Sequence, residues 1–219
     1  MKLDYVEILT NDLKATKSFY EKVLELPIIK SKSEFISFKI GTSTLKLVKN
    51  IEETEPIYHL AFNIPKNKLN EVTEWSTNRV ELIKKDDTIL IAEFETWNAN
   101  AVYFYDNNNN LLEFIARKDL NNSETEIFNS KQILNISEIG IVKKNPLEFG
   151  NQLIEKYGLN LFEKNQNSEM FTAIGDDNGI LIIVKANRNW YPTEIPAKSN
   201  WTKIGLTNKD KSITIEVNG

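Results

Sequence analysis

Cysteine is absent from the chain, and histidine occurs once, at position 59. The absence of cysteine excludes disulfide bonds, thiolate catalysis and cysteine-ligated zinc. Any metal bound by this chain must therefore use nitrogen or oxygen ligands, which are imidazole and carboxylate groups in the main.

The sequence also lacks an excess of positive charge and any long apolar run. Lys and Arg number 27 against 31 Asp and Glu, which gives a net charge of -4 and argues against nucleic acid as a partner. No stretch approaches the roughly 20 apolar residues of a membrane span, so we expect no membrane partner. The amino terminus, M-K-L-D-Y-V-E, becomes charged too early for a secretory signal, which predicts a cytoplasmic protein.

What is present is an internal repeat. Alternating residues 3–10 predict a strand, a helix follows up to Pro27, and strand-like runs continue to residue 48. The same order returns from residue 58, with a helix after Pro65 and a last strand at 111–116. A third unit has a strand at 136–142, a helix at 146–157 and strands at 170–174 and 180–184. The period of about 50 to 60 residues indicates repeated βαβββ modules.

These patterns predict an α+β fold in which two modules pair into a curved, open, barrel-like sheet around a cleft. The expected division is a paired unit at 1–118, made of modules 1–52 and 56–118, then a linker at 119–133. Residues 134–219 form the third βαβββ-like module with C-terminal strands, and no complete fourth repeat is expected.

Two residues of the second module suggest chemistry. His59 lies in the strand Y-H-L-A-F-N-I-P, and Glu113 follows the asparagine-rich turn in Y-D-N-N-N-N-L-L-E-F. An imidazole and a carboxylate on neighbouring strands are two ligands of a metal site, which would need a third.

These motifs resemble the vicinal oxygen chelate superfamily, which includes glyoxalase I, bleomycin-resistance proteins and extradiol dioxygenases. The strand Y-H-L-A-F-N-I-P is similar to the family's opening of a module. The segment Y-D-N-N-N-N-L-L-E-F is similar to the family's D-P-x-G-N-x-x-E-F ending. The resemblance implies a cleft between modules one and two, with ligands on the first and last strands of each. Those positions are Tyr5, Lys46, His59 and Glu113.

Two interpretations of the cleft follow. In one, His59 and Glu113 hold Fe, Mn, Ni or Zn, with Tyr5 or Glu7 as third ligand. In the other, which we favour at this stage, no cofactor binds, because Tyr5 is a poor ligand and Lys46 would neutralise Glu113. The third module offers no ligand of its own except Glu138.

Other candidates for the cleft are the amides Asn63 and Asn100 and the aromatic residues Trp97 and Tyr103. The segment R-N-W-Y-P-T at residues 188–193 would need a cover for its aromatic pair and is a candidate lid or interface arm.

The predicted function is binding of a small organic molecule between modules one and two without a full metal site. One alternative is a metal-dependent lyase, isomerase or ring-cleaving dioxygenase that uses His59 and Glu113. Another is a non-catalytic interaction protein, in which a homodimer is a possible assembly. No catalytic residue is assigned from the sequence.

Overall fold

The computed structural model describes residues 1–86 and 88–219. Its elements follow three modules and a tail. The first module comprises β1 (Lys2–Thr10), α1 (Leu13–Ser18) continued by a π-helical turn (Phe19–Val23), β2 (Ile28–Ser31), β3 (Phe35–Ile40) and β4 (Ser43–Lys49). The second comprises β5 (His59–Ile64), α2 (Leu69–Thr77), β6 (Leu82–Ile83), β7 (Ala92–Phe94), β8 (Ala99–Tyr105) and β9 (Leu111–Arg117). The third comprises β10 (Asn135–Lys143), α3 (Pro146–Tyr157), β11 (Phe171–Asp176) and β12 (Gly179–Lys185), and the tail is the hairpin of β13 (Thr202–Asn208) and β14 (Lys211–Val217).

Helix boundaries follow local signals. The Asp12 carboxylate accepts hydrogen bonds of 2.9 Å from the backbone amides of Lys14 and Ala15, which satisfies the free first turn of α1. Helix α3 begins at Pro146 and is closed by Gly158 in a left-handed conformation with φ 65°.

The strands form two open sheets, and their order shows which modules share a sheet. The six-stranded sheet has the order β14-β13-β1-β4-β3-β2, and the larger sheet has the order β11-β12-β10-β5-β9-β8-β6 with β7 also paired to β8. The second module therefore shares its sheet with the third, and the first shares its sheet with the tail. The expectation that modules one and two share a sheet and its cleft is wrong.

Each sheet joins its two units through their first strands. Strand β10 runs antiparallel to β5, and β13 runs antiparallel to β1. Both pairings contain an irregularity, at Ile136/Glu138 in one and at Leu3/Tyr5 in the other. The tail hairpin thus occupies the place of a fourth module, and it covers the edge of the first module rather than that of the third.

The core lies between the two sheets and the helices, and it joins residues from all three modules and the tail. Its members include Leu3 and Val6 of β1, Phe62 of β5, Ile139 of β10 and Ile204 of β13. The α+β class, with repeated modules and curved open sheets, is confirmed. Within the described residues, no helix is both long and apolar enough to span a membrane.

Candidate metal centre and ligand cavity

Three ionisable side chains converge where the second and third modules meet. His59 lies on β5, Glu113 on β9 and Glu138 on β10, and all three are buried. One potential ligand atom from each lies within 4.8 Å of the others. Strand pairing explains the convergence, because Ala61 is opposite both Glu113 on one side and Glu138 on the other.

The orientation of His59 makes one ring nitrogen available. Its Nδ1 lies 3.3 Å from the carbonyl oxygen of Leu111, which favours the tautomer with the proton on Nδ1. Its Nε2 faces Glu113 Oε2 at 3.5 Å and Glu138 Oε2 at 3.6 Å. A lone pair aimed at two carboxylates is repelled unless a cation or a proton lies between them.

Arg117 holds Glu138 from the other side. Its guanidinium forms an ion pair with Glu138 Oε1, so Oε2 stays turned towards His59. Arg117 has no exposed side-chain surface and also contacts Ser137 Oγ at 3.2 Å and Asp177 Oδ1 at 3.5 Å. Burial of this cation is therefore compensated by fixed partners.

His59, Glu113 and Glu138 form a triad whose two carboxyl groups have pKa values shifted in opposite directions. Burial, then the charge of Glu138, raises the pKa of Glu113 to about 8 against the opposing effects of His59 and Arg117. Burial also opposes ionisation of Glu138, but His59 and Arg117 outweigh it and lower the pKa of that carboxyl. Burial lowers the pKa of His59, yet Glu138 and Glu113 raise it overall. The triad without a metal thus retains a proton near neutral pH.

A cavity of about 410 Å³ opens in front of the triad. Six aromatic side chains form much of its wall, and they come from β7, β8, β11, the turn between β7 and β8, and the segment after β12: Phe94, Trp97, Tyr103, Phe171, Trp190 and Tyr191. The volume, and a wall that combines aromatic and polar side chains, suit a small organic ligand.

The segment after β12 closes one side of the cavity. The Trp190 ring lies 5.4 Å from that of His59, and the residue is 4 % exposed. Gly140 on β10 makes room for it, since a β-carbon there would lie 2.6 Å from the Trp190 ring. Tyr191 stands edge-on to Tyr103 with ring centroids 6.1 Å apart. Three residues of the 188–193 segment, Arg188, Trp190 and Tyr191, thus line the cavity, and its role as a lid or an interface arm stays a prediction.

The family model described as Glyoxalase/Bleomycin resistance protein/Dioxygenase superfamily matches residues 2–114, just over half of the chain. The chain belongs to this superfamily. A search among curated proteins finds no match.

One solved structure shows the same fold over most of this chain, and others are similar to about half of it. A putative dioxygenase from Bacillus subtilis superposes with a TM-score of 0.61 at 13% identity, over 84% of this chain and 63% of that one, so this chain spans less than two thirds of its length. Lactoylglutathione lyase from Agrobacterium tumefaciens has a TM-score of 0.41 at 19% identity, over 51% and 90%. A fosfomycin resistance protein from Listeria monocytogenes, complexed with Mn(II) and 1S,2S-dihydroxypropylphosphonic acid, has a TM-score of 0.41 at 22% identity, over 54% and 91%.

The residues predicted for the first half of the cleft lie elsewhere in this superfamily member. Tyr5, Glu7 and Lys46 belong to the smaller sheet, where Lys46 Nζ pairs with Glu7 Oε2 at 2.8 Å. The Tyr5 hydroxyl lies 3.3 Å from Thr214 Oγ1 on the tail hairpin. The predicted contact of Lys46 with Glu113 is therefore wrong, and neither Tyr5 nor Glu7 is the third member of the group.

Only some of the second-module residues predicted for the cleft line the cavity. Trp97 and Tyr103 line the cavity with His59 and Glu113. Asn63 is buried but donates to the carbonyl oxygen of Asp177 at 3.1 Å, away from the lining residues. Asn100 is half-buried in β8 between Glu93 and Ala116 and also does not line the cavity.

Arg117 was not predicted from the sequence, and Glu138 and Trp190 were not among the residues predicted for the cleft. Glu138 was the only ligand considered for the third module, and its place on that module's first strand was the signal available. On β12, Ile182 lies opposite Gly140 of β10, just as Glu113 on β9 lies opposite Ala61 of β5. Ile182 is therefore the third module's equivalent of Glu113, which agrees with the absence of a carboxylate from I-L-I-I-V.

Proposed function

We propose that the cavity between the second and third modules binds a divalent metal ion through His59, Glu113 and Glu138, together with a small organic molecule. The ion and the molecule occupy neighbouring parts of one space, because the triad forms part of the cavity wall. The favoured metal-free interpretation depended on Lys46 and Tyr5, which do not reach this cavity.

The separation of the ligand atoms carries the proposal. A charged imidazolium–carboxylate hydrogen bond would bring nitrogen and oxygen to about 2.7–2.9 Å. Here Nε2 lies 3.5 and 3.6 Å from the two carboxylate oxygens. Ligands that bind one ion at about 2.0–2.2 Å, as in tetrahedral sites, lie about 3.4 Å from each other. The observed spacing fits a shared cation better than a direct hydrogen bond.

The donor set indicates the class of ion. One imidazole nitrogen and two carboxylate oxygens suit Fe, Mn, Ni or Zn. When bound, such an ion polarises an oxygen of the ligand and holds it in an open coordination position. Ile182 contributes no fourth protein donor at the equivalent place on β12, which leaves room for that oxygen.

The protein's own groups hold this arrangement in place. The Leu111 carbonyl fixes the ring of His59, and Arg117 keeps one oxygen of Glu138 turned towards the imidazole. Arg117 also offsets the charge of two buried carboxylates. The aromatic wall excludes water and offers flat surfaces to an apolar or aromatic ligand.

A metal-free ligand cleft is the second candidate. The raised pKa values of His59 and Glu113 favour it, because a proton can then take the place of the metal between the triad's members. Both candidates place the small molecule in the same cavity, so metal content separates them.

The test is the metal content of protein purified without chelators, followed by titration with Mn, Fe, Ni and Zn. We expect close to one equivalent of one ion in the wild type and almost none in His59→Ala. The control is Lys46→Ala, which changes a charge on the other sheet and should leave metal content unaltered. Wild-type protein that takes up no ion in any titration would reject the metal and leave the second candidate.

A further inference from the structure

Arg188 lies at the cavity, in the segment that follows β12. It lines the cavity, and its guanidinium lies 5.0 Å from the centre of the Phe171 ring, which also lines it. Its Nη1 donates to the carbonyl oxygen of Asn189 at 3.2 Å. A guanidinium resting on an aromatic face is fixed in position, while its other N–H groups remain available.

The two arginines near the cavity differ in their partners. Arg117 is neutralised by Glu138 and Asp177. Arg188 forms no salt bridge with any acidic group in residues 1–86 and 88–219. Its surroundings are partly apolar, and burial lowers its pKa with no opposing contribution from a carboxylate. A half-buried cation with no counter-charge among the described residues is costly, and an anionic ligand would remove that cost.

We infer that Arg188 binds the carboxylate of an aromatic acid whose ring packs against the aromatic wall of the cavity. The fork of a guanidinium matches the two oxygens of a carboxylate. The six aromatic side chains of the wall suit a ring between Arg188 and the triad. This inference rests on the proposed function in one respect, that the cavity takes a small organic molecule.

The experiment compares acids with their neutral amides. Benzoate, phenylacetate and 3-phenylpropanoate, each with its amide, are titrated calorimetrically into wild type, Arg188→Gln and Arg188→Lys. A charge-assisted hydrogen bond predicts that at least one acid binds about 10- to 100-fold more tightly than its amide to the wild type. Arg188→Gln should abolish that preference, and Arg188→Lys should retain part of it, because the charge is kept without the fork.

The matched control is Arg79→Gln. Arg79 also lies on an aromatic ring, 4.3 Å from that of Trp75, but pairs with Glu25 and is remote from the cavity lining. It should leave the preference for acids unchanged. Circular dichroism of each variant checks that folding is intact.

Two outcomes overturn the inference. One is that no acid of the series binds more tightly than its amide; the other is that Arg188→Gln keeps the preference while folded. Metal titration of the same variants separates this result from the proposed function. Arg188→Gln should bind metal like the wild type, so loss of the acid preference with normal metal binding concerns Arg188 alone. An acid preference that persists in metal-free His59→Ala would support Arg188 even if the metal proposal failed.

Discussion

The two sheets contain equivalent positions with different residues. In the larger sheet, Glu138 is opposite Ile180 on the parallel last strand of its module, and in the smaller sheet Tyr5 is opposite Thr44 in the same way. Gly140 and Ile182 correspond likewise to Glu7 and Lys46. The same strand geometry therefore supports a buried acid–imidazole group in one sheet and a partly exposed ion pair in the other.

Burial explains the difference in chemistry. The side chains of Glu113 and Glu138 are 3% and 4% exposed, whereas those of Glu7 and Lys46 are 17% and 30% exposed. The segment with Trp190 covers the larger sheet's site. The Glu7–Lys46 pair is partly exposed to solvent, and its two charges neutralise each other. Closure by a loop, as well as residue identity, distinguishes a site from its counterpart.

The largest expected difference between the two sheets is in stability. Arg117→Met removes the buried cation that pairs with the buried carboxylate of Glu138, which should lower the free energy of unfolding by about 3–5 kcal/mol. Lys46→Met breaks the partly exposed Glu7–Lys46 pair and should lower the free energy of unfolding by at most about 1 kcal/mol. Urea unfolding measures both. Equal losses would show that burial does not separate the sites.

Metal affinity should differ almost as strongly. Loss of a group that only supports a metal ligand weakens metal binding by about 10–100-fold. Glu138→Gln removes a proposed charged ligand itself, so the loss of metal affinity should be larger. Glu7→Gln, the matched change in the smaller sheet, should have no effect. Competition with a chromophoric chelator gives both affinities, and similar losses in the two variants would contradict the assignment.

Two glycines offer a sharper comparison of the aromatic packing. Gly140→Ala places a methyl group against Trp190, which should cost about 1–3 kcal/mol of stability and change the tryptophan fluorescence. In Gly205→Ala the new methyl group meets the Tyr5 ring instead, on the smaller sheet. Only the first variant should alter ligand binding, as measured by calorimetry. If Gly205→Ala altered ligand binding and Gly140→Ala did not, the assignment of the binding cavity to the larger sheet would be contradicted.

The pH dependence of metal binding gives the smallest effect. Since burial raises the pKa of Glu113 to about 8, a proton competes with the ion below that pH. Apparent affinity should therefore rise with pH, by about tenfold per unit for each displaced proton, and level off above about pH 8. Glu113→Gln should reduce the slope. Affinity that falls between pH 6 and 8 would contradict competition at this group.

Local features of the fold were predictable from the sequence because short-range signals determine them. The helix that starts at Pro146 and ends before Gly158 agrees with its prediction, since both residues act within one turn. The alternation of β1 and the asparagine-rich turn before β9 act over similar distances. The repeat predicts the α+β modules, and the motifs around His59 and Glu113 carry the resemblance to the superfamily.

The pairing of the modules was not predictable in this way. Each first strand has a free edge, and several pairings satisfy it; only long-range packing selects β5 with β10 and β1 with β13. As a result, the neighbour of His59 is Glu138 of the third module, and Tyr5 and Lys46, which were predicted there, lie in the other sheet. The role of Trp190 depends on the same pairing, because β10 beside β5 brings its ring to 5.4 Å from that of His59. The domain boundaries and the homodimer stay predictions.

A divalent cation held between the second and third modules would be visible in anomalous diffraction from crystals grown with Mn²⁺ or Zn²⁺. We expect an anomalous peak between His59 Nε2 and the carboxylates of Glu113 and Glu138, with Arg117 still on the far oxygen of Glu138. Metal-loaded crystals with no peak there, and with His59 bonded directly to a carboxylate at hydrogen-bond distance, would contradict it.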